Sequence, residues 1–338
     1  MTDGPRESIT VLGAGSWGTA LAILLARNGR HHVHLWGRDA AHVAQMQQAG
    51  CNQRYLPGTG FPATLTVTHD LATAIRQSRD ILIVVPSHGF RAILQSIKPH
   101  LQLAARIAWA TKGLEHGSHK LLHQVVAEEL GPQTPAAVIS GPTFAREVAL
   151  NLPTAVTVAS TNTAFASQLA EWLHGGHFRA YTSEDVVGVE VGGATKNALA
   201  IAAGITDGLG FGANTRAALI SRGLAEMMRL GVALGGRQET FMGLAGLGDL
   251  VLTCTDDQSR NRRLGIALGQ GKSLEQARAG IPQVVEGIET AQEIYRLAQE
   301  LGVEMPIVEQ VYRVLYQGCP PREAVRALLE REQKAEQS

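Results

Sequence analysis

Ile9-Thr10-Val11-Leu12-Gly13-Ala14-Gly15-Ser16-Trp17-Gly18, near the amino terminus, is the stretch from which the fold is read. A short apolar, β-branched run reads as a strand, and apolar residues at helical density follow as far as Ala26. Between them stands G-x-G-x-x-G, which in that setting is the fingerprint of a dinucleotide pyrophosphate site. Gly13 permits the tight turn, Gly15 lets the backbone approach the anion, and Gly18 lets the helix pack close to the strand. The helix N-terminus supplies N–H donors to the same anion.

Working outward, the same alternation continues. His32–Trp36 reads as a second strand, and Ile81–Val85, preceded by Asp80 and ended by Pro86, as a strand covered on both faces. Ile107–Ala110, Ala137–Ser140 and Thr154–Ala159 are further strands. Strands alternating with helical stretches predict βαβ units and a parallel sheet. After about Tyr181 the texture changes. Residues 186–230 are rich in Ala, Leu and Gly at helical spacing, and Ser273–Ala279, Gly287–Glu300, Ile307–Tyr316 and Arg322–Glu330 are helix-like. The expected organisation is α/β: a dinucleotide-binding domain over 1–189, an all-helical substrate and catalytic domain over 190–331, and a polar tail over 332–338.

Composition narrows the function classes. A chain of 338 residues is long enough for about two domains. Thirty basic side chains balance thirty acidic ones, so no global field draws in nucleic acid or an anionic membrane. Three cysteines without C-x-x-C spacing argue against a disulfide framework or structural zinc and suit a reducing compartment. The amino terminus lacks a signal-peptide pattern, and no apolar run approaches the ~20 residues of a membrane span. A cytoplasmic protein is expected. His31, His32 and His34 scatter across a strand's two faces, H-E-x-x-H is absent, and no metal is expected. A hydrolase elbow, G-x-S-x-G, is also absent.

Several segments fall where the strands should end, the ligand edge of such sheets. Gly37-Arg38-Asp39 follows the second strand; Arg38 suits a ribose 2′-phosphate, favouring NADPH over NADH, while Asp39 remains within reach of a ribose. Val85-Pro86-Ser87-His88 brings backbone near the nicotinamide side. In Thr111-Lys112-Gly113 the lysine can face a phosphate or polarise a substrate oxygen. Ser140-Gly141-Pro142-Thr143-Phe144-Ala145 adds backbone donors and the Thr143 hydroxyl. In the helical half, Lys196 sits among small and apolar residues, where desolvation moves a lysine towards proton-transfer duty. Gly192 and Gly193 imply close approach of a ligand or another helix. Asp249, framed by glycines, can hold Lys196 or accept a bond from a substrate hydroxyl. Ser259-Arg260-Asn261 opens a helix in a way that can collect a phosphate.

Taken together, GAGSWG (13–18), NQRYLP (52–57), VPSH (85–88), TKG (111–113), SGPTFA (140–145), VGGATKN (191–197), GITDGLGFGANTRAALISRG (204–223), GLAGLGDLVLTCT (243–255), QSRNRR (258–263) and VVEG (284–287) resemble the bacterial NAD(P)-dependent glycerol-3-phosphate dehydrogenases, from residue 10 to about 320. The resemblance implies a Rossmann-type doubly wound domain, a helical C-terminal domain and a homodimer. It implies interconversion of sn-glycerol 3-phosphate and dihydroxyacetone phosphate for glycerophospholipid synthesis. It further implies Lys196 as the general acid/base, with Lys112, Gly141, Thr143, Lys196, Asp249, Ser259, Arg260 and Asn261 on the substrate. Gly13, Gly15, Ser16, Trp17, Gly18, Arg38, Lys112, Ala145, Arg260, Val284 and Glu286 would meet the dinucleotide. Trp17 departs from the Tyr or Phe more usual there. The rival enzymes are β-hydroxyacid and 6-phosphogluconate-type dehydrogenases, which pair the lysine with an asparagine a few residues along the helix; here Asn197 is adjacent and Ala200 lies one turn on. A dinucleotide-sensing protein without turnover is the non-enzymatic alternative, and Lys196 with Asp249 speaks against it.

Overall fold

In the computed structural model, which describes residues 7–331 apart from positions 28 and 282, the opening run forms β1 (Ser8–Leu12) and the glycine turn leads into α1 (Ser16–Arg27). The tail expected over 332–338 lies outside the described residues. Two compact units follow one another along the chain, the first ending at Glu190 and the second beginning at Val191.

The first unit continues through β2 (His32–Trp36), α2 (Ala40–Ala49), β3 (Leu65–Thr68), α3 (Leu71–Arg76), β4 (Asp80–Ile83), α4 (Phe90–Ile97), β5 (Arg106–Trp109), α5 (Leu122–Leu130), β6 (Ala136–Ser140), α6 (Ala145–Ala149), β7 (Thr154–Ala159), α7 (Thr163–Leu173) and β8 (Phe178–Ser183). Its eight strands form one sheet in the order β3-β2-β1-β4-β5-β6-β7-β8. Every residue of β4 and β5 is buried, which explains their unbroken apolar character. Asp80 belongs to β4 rather than preceding it. Its carboxylate lies 2.5 Å from Nε of Arg106, its register partner on β5, and this pairing offsets the cost of burying an acid in a central strand.

The structure corrects the sequence reading in three further places. The sheet is not wholly parallel: β7 pairs antiparallel with β6, and β8 then runs parallel with β7. Two strands, β3 and β8, were not expected. Both are edge strands with at least one face in solvent, and β8 is largely exposed, so neither carries an apolar run. The helical stretch 186–230 is two helices, α8 (Val186–Gly208) and α9 (Ala213–Ala233). The break falls at Gly210, whose φ of +84° ends helical propagation. His31 precedes β2 and is buried edge-on against Trp172, while His32 and His34, on one face of β2, are exposed and half-buried.

The remaining helices of the second unit are α10 (Gln238–Phe241), a π-helical turn over Leu244–Gly248, α11 (Asp249–Thr255), α12 (Arg260–Gly269), α13 (Leu274–Ala279), α14 (Gly287–Leu301), α15 (Pro306–Tyr316) and α16 (Pro321–Leu329). α8 and α12 touch backbone to backbone through two matched G-x-x-x-G pairs. A β-carbon on Gly204 would lie 2.1 Å from the Arg262 carbonyl oxygen, and one on Gly208 2.3 Å from that of Ile266. Reciprocally, Gly265 and Gly269 face the Ile201 and Ile205 carbonyl oxygens at 2.1 and 2.4 Å. Only glycine permits this crossing. On α9, buried Glu226 accepts from the Ile307 and Val308 N–H groups at 2.7 and 3.2 Å, satisfying orphan donors of α15. Burial pushes its carboxyl up to about 7, against the opposing pull of those two donors. No helix among the described residues is long and apolar enough to cross a membrane.

Candidate functional site

In the first unit the strand order turns back on itself between β1 and β4, and in such sheets ligands settle beyond the carboxyl ends at that point. The glycine turn lies there, tied down by Gly13 N–H to the Trp36 carbonyl at 3.0 Å. The three glycines have different reasons. Gly13 has φ +120°, and a β-carbon on it would sit 2.3 Å from the Val84 carbonyl oxygen. One on Gly18 would sit 1.9 Å from the Gly13 carbonyl oxygen, so this glycine sets how closely α1 approaches the turn. Gly15 is different: a β-carbon there meets no protein atom within 4 Å. Its smallness serves no packing inside the unit, which fits a backbone left open to a pyrophosphate.

Asn52 holds this turn, and sequence reasoning gave it no role beyond its motif. It is fully buried and uses every bond its amide can make. Nδ2 donates to the Ala14 carbonyl at 3.0 Å and the Thr19 hydroxyl at 2.8 Å. Oδ1 accepts from Tyr55 N–H at 3.2 Å and lies 3.1 Å from His42 Nε2. Ser16 adds a second tie, donating to the Tyr55 carbonyl at 2.7 Å. The signal in the sequence was the Asn52–Tyr55 spacing, since an asparagine side chain accepts from an N–H a few residues on. Asn52→Ala strands these buried groups, and we expect a loss of about 2–4 kcal/mol in urea unfolding with weaker dinucleotide binding by fluorescence titration. Undiminished stability would contradict that account.

Other expected residues of this unit take these positions. Trp17 is half-buried, with an indole N–H that finds no protein acceptor. Arg38 is exposed at the end of β2. The Asp39 oxygen Oδ1 caps α2, accepting from Ala41 and His42 N–H at 3.0 and 3.2 Å. Beyond β5, half-buried Lys112 donates to the Gly141 carbonyl at 3.1 Å, and the Thr143 hydroxyl donates to the same carbonyl at 3.2 Å. These three expected residues therefore converge on one carbonyl. Ala145 opens α6.

In the second unit the centre is Lys196, buried on α8. Its Nζ lies 3.1 Å from Oδ1 of the buried Asp249 and 3.0 Å from the Thr253 hydroxyl. Thr253 donates in turn to the Asp249 carbonyl at 2.6 Å. A buried ammonium is tolerable when paired and hydrogen-bonded in this way. Sequence reasoning named Asp249 and missed Thr253, though the two stand four residues apart, one above the other on a helix face. The approach is set by backbone: a β-carbon on Gly192, one turn before Lys196, would meet the Ala245 carbonyl oxygen of the π-helical turn at 2.5 Å. Of the two readings of that glycine, another helix is the one realised. Neighbouring Cys254 is buried, and burial pushes its thiol up to about 12, so it is no thiolate.

The expected phosphate-collecting group divides its duties. Ser259 caps α12, accepting from Arg262 N–H at 3.2 Å. Asn261 is committed to structure at both ends: Nδ2 donates to Asn197 Oδ1 at 2.8 Å, and Oδ1 accepts from Gly287 N–H at 3.0 Å. Half-buried Arg260 spends one nitrogen on the carbonyl of exposed Val284 at 2.7 Å. Glu286 is half-buried immediately before α14. Asn197, buried beside Lys196 and named in the sequence only against the rival enzymes, keeps an Nδ2 with no protein acceptor.

Comparison with known proteins gives the family. Residues 8–166 match the family described as NAD-dependent glycerol-3-phosphate dehydrogenase N-terminus, and residues 185–326 match its C-terminus. The chain is 62% identical over 331 residues to glycerol-3-phosphate dehydrogenase [NAD(P)+] of Thioalkalivibrio sulfidiphilus, covering 98% of this chain and 99% of that one. It is 58% identical to the Pseudoalteromonas translucida protein of the same name, covering 98% of each. The crystal structure of glycerol-3-phosphate dehydrogenase from Coxiella burnetii superposes with a TM-score of 0.94 at 54% identity, covering 96% of this chain and 99% of that one. With both halves matched and these identities spanning nearly its whole length, the chain belongs to the NAD-dependent glycerol-3-phosphate dehydrogenase family.

Proposed function

We propose that the protein catalyses the NAD(P)-dependent interconversion of dihydroxyacetone phosphate and sn-glycerol 3-phosphate. The observation that carries the reading is the buried Lys196 ammonium held between Asp249 and Thr253 on α8, in a chain whose first unit carries a dinucleotide turn. Its open Gly15 and Trp17's unpartnered indole N–H fit a bound dinucleotide. The dinucleotide supplies or takes up the hydride when bound. In this reading Lys196 Nζ donates a proton to the C2 oxygen as the ketone is reduced and takes it back in oxidation. Asp249 and Thr253 fix the direction of that amine.

Lys112, Gly141, Thr143, Asp249, Ser259, Arg260 and Asn261 are assigned to the substrate. Within this reading their tasks differ. Arg260, with several donors beyond the one given to Val284, grips the phosphate. Ser259 and Asn261 fix the start of its helix. Binding energy from the phosphate then orients the reacting carbon. Gly13, Gly15, Ser16, Trp17, Gly18, Arg38, Lys112, Ala145, Arg260, Val284 and Glu286 are assigned to the dinucleotide, and Arg38 favours NADPH over NADH. The first domain binds the dinucleotide and the helical domain carries substrate chemistry. A cytoplasmic homodimer supplying glycerol 3-phosphate for glycerophospholipid synthesis completes the reading, as the family resemblance implies.

The test is loss of NADPH absorbance with dihydroxyacetone phosphate, beside NADH and beside unphosphorylated dihydroxyacetone. Rapid oxidation that requires the phosphate is expected. Silence with both dinucleotides, in protein that binds them, would overturn the assignment.

A further inference from the structure

Arg54 stands on the loop that Asn52 and Ser16 fasten to the dinucleotide turn, and no role has been given to it above. Its Nη1 lies 3.6 Å from Asp39 Oδ2, and its guanidinium carbon lies 5.0 Å from the centre of the Tyr55 ring. Both charged side chains are more than half exposed, at 58% and 56%. We propose that Arg54 is a specificity-determining residue that, together with Arg38, recognises the 2′-phosphate of NADPH. The inference rests on the NADPH reading above and extends it to a second cation.

Place is the first argument. The end of the second strand is where nucleotide-binding sheets hold the adenosine ribose, and an acid there normally accepts from its hydroxyls. Here the acid stands at position 39 and is already employed. Oδ1 caps α2 and Oδ2 faces Arg54, so the carboxylate serves as a backstop for a guanidinium. Arg38 is the residue before it and is exposed. Two arginines against one carboxylate leave a local positive charge on a chain whose formal net charge is +0.

Rigidity is the second. A long exposed arginine ordinarily loses affinity to its own freedom, but this one starts from a loop bolted down at Asn52 and Ser16. Tyr55 beneath it packs edge-on against His42, ring centres 5.2 Å apart. A planar guanidinium lying over an aromatic ring keeps its edge N–H groups available, the geometry that suits phosphate oxygens.

The experiment compares Arg54→Ala and Arg54→Lys with the parent enzyme, measuring KM and kcat for NADPH and NADH, and inhibition by 2′,5′-ADP and 5′-ADP. In Arg54→Ala we expect the preference for NADPH, as the ratio of KM values, to fall about tenfold, the effect of one lost charge-assisted bond. The change should fall on KM rather than kcat. Inhibition by 2′,5′-ADP should weaken by a similar factor relative to 5′-ADP, with Arg54→Lys restoring part of both. Equal weakening for NADPH and NADH would make Arg54 a structural support and overturn the inference, as would an unchanged ratio in an enzyme that prefers NADPH. A parent enzyme indifferent to the 2′-phosphate, with equal inhibition by the two ADP analogues, would instead sink the NADPH reading itself.

Discussion

Lys196→Ala should lower turnover by about 10²-fold or more, the usual consequence of losing a general acid/base, with NADPH binding retained. Lys196 belongs to the second unit, while the dinucleotide turn is braced within the first by Asn52 and Ser16. Removing the amine also leaves Asp249, 1% exposed, as a buried carboxylate that has lost the Lys196 cation. Breaking a buried pair of this kind costs about 3–5 kcal/mol, so kinetics must be read on protein shown to be folded by circular dichroism. A small primary amine added to the assay separates the two effects. It can occupy the truncated space and carry the proton, so partial rescue is the signature of a chemical role. Full turnover without added amine would remove Lys196 from the mechanism.

The second large effect concerns architecture. Gly265→Ala places a methyl 2.1 Å from the Ile201 carbonyl oxygen and 2.8 Å from the Ile205 nitrogen. Both are backbone atoms within a helix and cannot rotate aside as a side chain could. Overpacking ordinarily costs about 1–3 kcal/mol, occasionally more, and this site belongs at the upper end. A calorimetric scan should show melting roughly 10 °C lower. Gly280→Ala is the control. Its φ is −76° and the nearest atom to a new methyl lies 3.6 Å away, so stability should hardly move. Equal melting temperatures for the two variants would contradict the close crossing of α8 and α12.

What could be read beforehand follows from how each feature is encoded. β1, β4 and β5 announce themselves because burial on both faces demands a largely apolar run, and β2 because buried Val33 and Leu35 alternate with its histidines. β3 and β8 do not, since an edge strand such as Phe178–Ser183 buries little. The antiparallel turn of β7 is invisible for a related reason: strand direction is fixed by pairing, and Thr154–Ala159 reads the same either way. In the candidate site, Lys196 and Asp249 were legible as charges among glycines. Thr253 was not, because a lone hydroxyl has no pattern until the helix places it four residues from Asp249. GITDG and GIALG likewise mean little apart; only their crossing gives them a shared purpose. Asn52 is the clearest case, since its four partners come from residues 14, 19, 42 and 55 and assemble only on folding.

That antiparallel strand has a consequence for the chain between β6 and β7. A connection to a parallel neighbour must travel back along the sheet, usually as a helix over a dozen or more residues. Here the link leaves β6 at Ser140 and enters β7 at Thr154 on the same side of the sheet, so none of it is spent on the return journey. Gly141 and Thr143 stay at the ligand edge, directly beyond β6. The segment is gathered against α1, where Arg27 donates to the Ala149 carbonyl. Reversing one strand thus frees this link from a return path, so its first residues can be shaped for recognition and α6 can pack as part of the core.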